Sequence, residues 1–366
     1  MRIPMAVFRY KYLPISETFI YEQLIQLKKY KPYVFTREIT DHADLFPFKR
    51  VVRLRKKSQI YPFIKTKKCK LIHARFGSGG IQMLPVKKRA KLPLLTSFHG
   101  SDLSKQVRNQ RYRKQLTHLF RAGEAFTVVS EHMKKRLISL GCPAQKVTIL
   151  KSGIHLEKLP FLPRQQLTEQ IQSNGSFRIL TVGRLVEKKG TDLLLRAFAQ
   201  ILKCYPTTRL IIVGDGPRKK ELQLVAKQLG VQSQVKWKGA LSHSEVINEL
   251  KCSHLFVLPS RTGKDGDQEG IPNSIMEAMA IGRVVISTRH AGIPELIIHK
   301  QTGFLAPEGD HYALANMIQY VLESPLPLEE ILYNARKKIE REHDILKQAN
   351  KLEQIYDHVL KKERKK

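Results

Sequence analysis

Acidic residues are scarce in this 366-residue chain, where 32 Asp and Glu stand against 65 Lys and Arg for a formal net charge of +33. A field of that sign attracts nucleic acid, anionic lipid head groups or polyanionic substrates, and charge alone does not separate these partners. Cysteine is also rare. Cys69, Cys142, Cys204 and Cys252 lie far apart, which excludes the paired spacings of zinc and redox sites and leaves reduced thiols as the expectation. No uncharged apolar run approaches the roughly 20 residues of a membrane-spanning helix. The stretch between Arg2 and Arg9 is too short for a signal-peptide core. Any membrane contact is therefore expected from the side. Neither a Gly-x-x-x-x-Gly-Lys-Ser/Thr phosphate loop nor a Gly-x-Gly-x-x-Gly fingerprint occurs. Low-complexity tracts are missing too, so the chain is expected to fold throughout.

What is present resembles an ordinary globular protein, with 42% hydrophobic and 27% charged residues. The length predicts two domains. Their charge differs: residues 1–160 hold 34 Lys and Arg against 9 Asp and Glu, a balance of +25, whereas 31 against 23 remain for the rest. Clusters such as Arg53-Leu-Arg-Lys-Lys57 and Lys87-Lys-Arg-Ala-Lys91 read either as solvated faces or as a surface for a membrane or polyanion, and the one-sidedness favours the second.

Short apolar runs alternate with amphipathic stretches along both halves. Met5–Phe8, Leu71–Arg75, Leu94–Phe98 and Ala125–Val129 are predicted as buried strands, and Ser130 is the expected N-cap of a helix that Gly141 stops. A polar, proline-containing segment, 159–176, reads as a linker. Strands then resume at Arg178–Val182, Leu210–Val213, Val235–Lys238, Leu255–Leu258 and Val284–Ser287, with helices over Thr191–Tyr205 and Arg218–Leu229 between them. Each half is thus an α/β unit of the doubly wound, parallel-sheet type, in which ligands bind at the strand C-terminal ends. A long basic helical pattern runs from Leu332 to Lys366.

The most informative segment is Glu269-Gly-Ile-Pro-Asn-Ser-Ile-Met-Glu277. Gly270 and Pro272 break regular structure, so one glutamate falls in a loop and the other on a helix. A helix N-terminus with open N–H groups then stands between two acceptors, a site for a ligand with phosphate and hydroxyl groups. Ser274-Ile-Met-Glu277 also spells a capping box, which would reduce Glu277 to a helix tie. Upstream, Gly183-Arg-Leu-Val-Glu-Lys-Lys-Gly190 follows a strand, and Arg184 and Lys189 there fit either an anion clamp or a basic turn. Val213-Gly-Asp-Gly-Pro217 is a strand-to-helix turn and a candidate wall of a nucleotide pocket. Asp265-Gly-Asp267 could hold a divalent ion, but acids in a Gly-rich polar loop are commonplace and carry little weight. His99, in Phe98-His-Gly-Ser-Asp102, stands at a strand end of the first half, either as a structural histidine or as a polar contact with substrate.

Together Gly183–Gly190, Gly214-Asp-Gly-Pro217, Glu269–Glu277 extended to Ala280, and Ala291-Gly-Ile-Pro-Glu295 resemble family 4 of the retaining glycosyltransferases, in particular the bacterial exopolysaccharide and colanic acid branch. Ser16–Ile20, His73-Ala-Arg-Phe76 and Phe98–Asp102 match more loosely in the first half. The resemblance implies a GT-B fold of two Rossmann-like domains facing a central cleft. On that basis residues 1–158 bind the acceptor, 177–345 bind the nucleotide sugar, and 346–366 form a helix returning to the first domain. Arg184 and Lys189 would hold the donor diphosphate, with Gly183 and Gly214 beside them. Glu277 would take the ribose hydroxyls, Glu269 with Gly270, Ile271, Pro272 and Asn273 the sugar, and His99 would contact that sugar. Arg184, Lys189, Glu269 and His99 are then the expected catalytic residues. No cofactor and no metal is expected, because two cations and a helix N-terminus stabilise the departing diphosphate. The implied reaction is hexosyl transfer with retention to a lipid-linked or oligosaccharide acceptor in cell-surface polysaccharide synthesis, at the inner face of the plasma membrane. Where relatives carry a Gly-rich loop after the first strand, this chain reads Arg9–Thr18. A nucleic-acid-binding protein is the rival from charge alone, but no recognition module is present. An epimerase or phosphorylase of the same fold is the nearer rival.

Overall fold

The computed structural model describes residues 2–12, 17–40, 44, 46–56, 59–162, 177–323 and 328–364, side chains of 362–364 excepted. Most of the expected linker, 163–176, and Ser16 of the Ser16–Ile20 motif lie outside the described residues. Two compact units are present: Met1–Ile154 with Glu342–Lys366, and His155–Arg341.

The first unit is built on strands β1 (Ile3–Phe8), β2 (Lys11–Tyr12), β3 (Tyr30–Thr36), β4 (Glu38–Ile39), β5 (Val51–Arg53), β6 (Ile72–Arg75), β7 (Leu94–Ser97), β8 (Ala125–Val128) and β9 (Val147–Ile149). Seven of them form one sheet in the order β5-β3-β1-β6-β7-β8-β9, with β2 and β4 paired apart. Every pairing is parallel, from Ile3 against Tyr30 to Val128 against Ile149. Order reverses between β1 and β6, so the exits of these two strands, Arg9 and Arg75, mark the switch point where open α/β sheets take ligands. Strand β3 has no clean pattern because Lys31 and Pro32 interrupt it. Pro32 is tolerated because Val34 shows that its parity faces β5, which begins only opposite Val34 and leaves the missing N–H without a partner to lose. Ser130 caps Glu131–Ser139 by accepting from the Met133 N–H at 3.1 Å.

In the second unit the strands are β10 (Arg178–Val182), β11 (Arg209–Val213), β12 (Val235–Gly239), β13 (Leu255–Leu258), β14 (Val284–Thr288) and β15 (Phe304–Ala306), in the order β12-β11-β10-β13-β14-β15 and again parallel. Strands β13 and β14 are buried along their whole length, which explains their near-continuous apolar sequence. Thr191–Cys204 covers one face through Leu194, Leu195, Phe198 and Ile201. The switch point falls between β10 and β13.

The long pattern expected from Leu332 to Lys366 is two helices, Leu328–Glu342 and Ile345–Arg364. His343 and Asp344 interrupt it: Ile154 donates to the His343 carbonyl, Ile345 donates to that of Ile154, and the Asp344 side chain caps Leu346 at 2.8 Å. Gly153 permits this crossing, since a Cβ there would lie 2.6 Å from the Ile345 Cα. The last helix adds Leu352, Tyr356 and Val359 to the core of the first unit. Its polar face holds Lys29 and Tyr30 through Glu353 and Asp357.

Candidate active site

Three loops meet at the C-terminal ends of β10, β11 and β13, and their approach depends on glycine. Gly214 has φ +137°, and a Cβ there would stand 1.9 Å from the Gly183 carbonyl oxygen. Gly190 adopts the left-handed conformation at φ +65°, where a Cβ would meet the Pro259 oxygen at 1.9 Å. Backbone therefore lies on backbone, and the turn Glu187–Lys189 rests at the exit of β13. The Lys189 stem crosses Gly183, with Cδ and Cε 3.3 Å from the position a Cβ would take.

Its ammonium ends 2.9 Å from Glu269 Oε1, so two of the residues singled out by sequence are brought together. Glu269 is 7% exposed. Burial pushes its carboxyl up, but Lys189 and Lys188 outweigh that and hold it below its ordinary range, so it is ionised at neutral pH. Lys188 straps the same loop from outside, reaching the Gln268 carbonyl at 3.2 Å and Asp267 at 3.1 Å. Behind Glu269 stands a histidine that sequence reading missed. The Glu269 N–H donates to His290 Nε2 at 3.2 Å, and His290 Nδ1 lies 2.8 Å from Glu308 Oε2. The backbone donor makes Nε2 an acceptor, which places the imidazole proton on Nδ1 toward the carboxylate. Burial raises the Glu308 carboxyl, while the Thr262 N–H and His290 lower it by more, and it stays below its ordinary value. The only sequence signal for His290 was its position next to Ala291-Gly-Ile-Pro-Glu295.

The helix Asn273–Ile281 begins at Pro272, with no side-chain cap. Ser274 Oγ instead donates to the Val182 carbonyl at 3.1 Å, which ties the helix start to the end of β10. The capping-box alternative for Glu277 therefore does not form: Ser274 lies inside the first turn and its hydroxyl is spent on the sheet. Among the described residues, the N–H groups of Gly270, Ile271, Asn273 and Ser274 meet no acceptor. Glu277 projects from the next turn, 9% exposed, with Oε1 3.0 Å from Nε2 of His243. His243 is the first residue of the helix His243–Cys252, whose own start carries a true capping box between Ser242 and Glu245. Sequence reading missed His243 as well, since one histidine at a helix start gives no signal of its own.

Arg184 is exposed and makes no side-chain hydrogen bond or ion pair among the described residues. The loop acids are engaged: Asp265 Oδ1 accepts the Asp267 N–H at 3.0 Å, and Asp267 pairs with Lys188. No cluster of three metal-ligating side chains occurs among the described residues.

His99 belongs to the first unit, two residues beyond β7. Its ring lies between Phe19 and Phe76, with centroids 4.9 Å from each. Neither ring nitrogen has a hydrogen-bond partner. Burial, then Arg75 and Arg9, hold the imidazole well below its usual range, so it is neutral.

Two α/β units with all-parallel sheets, glycine-built loops at the strand exits and a carboxylate on each side of an open helix start define a class of protein, and comparison with known sequences identifies it. Residues 24–158 match Glycosyltransferase Family 4 and residues 164–338 match Glycosyl transferases group 1. The chain belongs to this glycosyltransferase family. It is similar to the amylovoran biosynthesis glycosyltransferase AmsK of Erwinia amylovora, 36% identical over 68% of this chain and 60% of that protein. A protein of Escherichia coli K12 assigned to colanic acid biosynthesis as the glycosyltransferase WcaL is 33% identical over 75% of this chain and 67% of its own length. The chain thus matches about 60–67% of the length of these relatives. Among solved structures, Anabaena HepE in complex with UDP and glucose superposes with a TM-score of 0.81 at 20% identity, over 98% of this chain and 100% of that one. Sucrose-phosphate synthase from Thermosynechococcus elongatus gives 0.80 at 19%, over 98% and 99%. The fold is GT-B. No helix among the described residues is long and apolar enough to cross a membrane.

Proposed function

We propose that the protein transfers a sugar from a nucleotide-sugar donor, held by the second unit, to a hydroxyl of a saccharide acceptor in bacterial cell-surface polysaccharide synthesis. The carrying observation is the Lys189–Glu269 pair beside the open start of Asn273–Ile281. The Lys189 ammonium, in ion-pair contact with Glu269, has three N–H donors to share between that carboxylate and the donor diphosphate. Arg184, exposed and unengaged, supplies a planar fork to the same group. The free N–H groups of Gly270, Ile271 and Asn273 and ionised Glu269 offer donors and an acceptor to the sugar, and Glu277 offers its second oxygen to the ribose. HepE was crystallised with UDP and glucose, which makes a UDP-sugar the first donor to try.

In the reaction the bond from the anomeric carbon to the diphosphate oxygen breaks and the acceptor oxygen bonds to that carbon. The acceptor proton passes to the leaving phosphate. Arg184, Lys189 and the helix N-terminus stabilise the charge that develops there. We extend the proposal to retention of configuration, to catalysis without a metal, for which the engagement of Asp265 and Asp267 with their own loop is the support, and to a lipid-linked acceptor. The basic first unit would then meet anionic lipid at the inner face of the membrane.

A thermal-shift panel of nucleotide sugars, followed by transfer to candidate acceptors with and without chelator, tests the reading. Stabilisation by one donor and loss of transfer in Lys189→Ala are expected. Absence of any donor-dependent product, or an inverted anomer by NMR, would overturn the corresponding part.

A further inference from the structure

The first unit contains a buried charge that has no ion-pair partner of its own among the described residues: Glu17 acts on it through space but is itself bound by Arg9. Arg75, the last residue of β6, is 1% exposed, and its Nε and Nη2 have no hydrogen-bond partner. Among the described residues it forms no ion pair. Burial lowers its guanidinium to about 10, so it remains protonated at neutral pH. The neighbouring charges are already matched: Arg9 is bidentate on Glu17, with Nε–Oε2 2.8 Å and Nη2–Oε1 2.5 Å, and Lys151 pairs with Glu342 at 2.5 Å. A buried cation without a counter-charge is costly, and such a group signals a missing anion.

A cavity lies beside it. About 20 Å³ in volume, it is lined by Arg75, His99, Gln23 and Ser97, with half-exposed Lys151 and Ser152 bringing it to the surface. That is room for one water-sized group. Besides the guanidinium, both nitrogens of His99 and Oε1 of Gln23 are unpartnered there. The place is the topological switch point of the sheet, between the exits of β1 and β6. Phe76, next in the chain, is held at φ +66° and ψ 153°, a conformation nearly confined to glycine. Strain of that kind persists where the surroundings fix it, and it gathers at ligand sites. Here the Phe76 ring is clamped between His99 and the Arg9 guanidinium, 4.2 Å from its centroid.

We propose that this cavity is an oxyanion subsite in which Arg75 receives one oxygen of a phosphoryl or carboxylate group carried by the acceptor. A neutral His99 donates one N–H to the same group. The inference rests on the reading of the first unit as acceptor-binding, and it adds that the acceptor carries an anionic group. A neutral hydroxyl would leave the guanidinium unbalanced.

Calorimetric titration of the full chain tests this in an Arg184→Ala/Lys189→Ala background, which removes the two cations assigned to the donor diphosphate. Inorganic phosphate, glucuronate and glucose are the probes, at constant ionic strength. Phosphate or glucuronate is expected to bind, glucose not, and adding Arg75→Met should weaken the binding at least ten-fold. Which anion binds identifies the acceptor group. Without ligand, Arg75→Met should unfold at the same temperature or higher, because it removes an unpaired charge. Equal affinity in Arg75→Met, no anion binding in the background, or a fall of several degrees in the unfolding midpoint would each overturn the proposal. Arg75→Lys, which keeps the charge and loses the fork, should show the same ten-fold weakening. None of these readouts depends on transfer, so a failed glycosyltransferase assay and a failed subsite give different results.

Discussion

Glu277 Oε1 lies 3.0 Å from Nε2 of His243, so a carboxylate on one buried helix is aimed by the first residue of another. Glu277→Gln should raise the donor KM by about 10–100-fold, the range for one hydrogen bond to a charged group. His243→Ala should raise it by less and leave kcat near the parent value, because Glu277 would remain but be less firmly held. Initial rates at varied donor concentration check both.

Lys189→Ala should lower kcat by about 10²–10³-fold, as for loss of one group that stabilises developing charge. It also removes the principal partner of a buried carboxylate. Because the folded Glu269 carboxyl is held below its ordinary value, its contribution to stability is present above about pH 4.3 and lost as pH falls through the folded value. In Lys189→Met that contribution shrinks, so acid unfolding followed by circular dichroism should begin at a higher pH than in the parent.

Asp102 shows the opposite sign. It is fully buried and accepts the N–H groups of Gly77, His99 and Gly100 at 3.0–3.1 Å, yet burial dominates and pushes it up to about 6. Its contribution is therefore most favourable below about pH 3.9 and is lost as pH rises through about 6, a difference of about 3 kcal/mol. Asp102→Asn should remove this pH dependence. It should also cost about 1–3 kcal/mol, because an amide nitrogen would face the Gly77 donor. Denaturant melts of both proteins at pH 4 and pH 8, between which most of that difference falls, measure both effects.

Gly214→Ala places a methyl group 1.9 Å from the Gly183 oxygen at a φ that alanine avoids. A loss of at least about 3 kcal/mol is expected, with donor stabilisation abolished. Thermal melts with and without UDP-sugar show it.

The buried strands of both sheets were legible because parallel strands covered on both faces read as unbroken apolar runs, as in Leu255–Leu258. Strand β3 was not, since Pro32 and Lys31 give no such run, and β9 and β15 are only three residues each. Gly183, Lys189 and Glu269 could be read as one site because each sits where a strand or helix pattern starts or stops. His243, His290 and Arg75 could not, because their positions follow from contacts far away in sequence, such as His290 with Glu308 and Arg75 across from Ser97. The break at His343 was hidden for the same reason: its cause is Ile154, not the local helix propensity.

That break bears on the order in which the molecule is made. His73, in the middle strand of the first sheet, is completed by Tyr356, whose hydroxyl sits 2.7 Å from its Nδ1, and by Ser97 at 2.6 Å and beyond it Thr127. The first half of the chain to leave the ribosome therefore lacks one layer of its core until the last helix has been synthesised, whereas residues 155–341 have every strand they need before then. The later segment is expected to fold first, and the early, most basic segment waits for its closing piece.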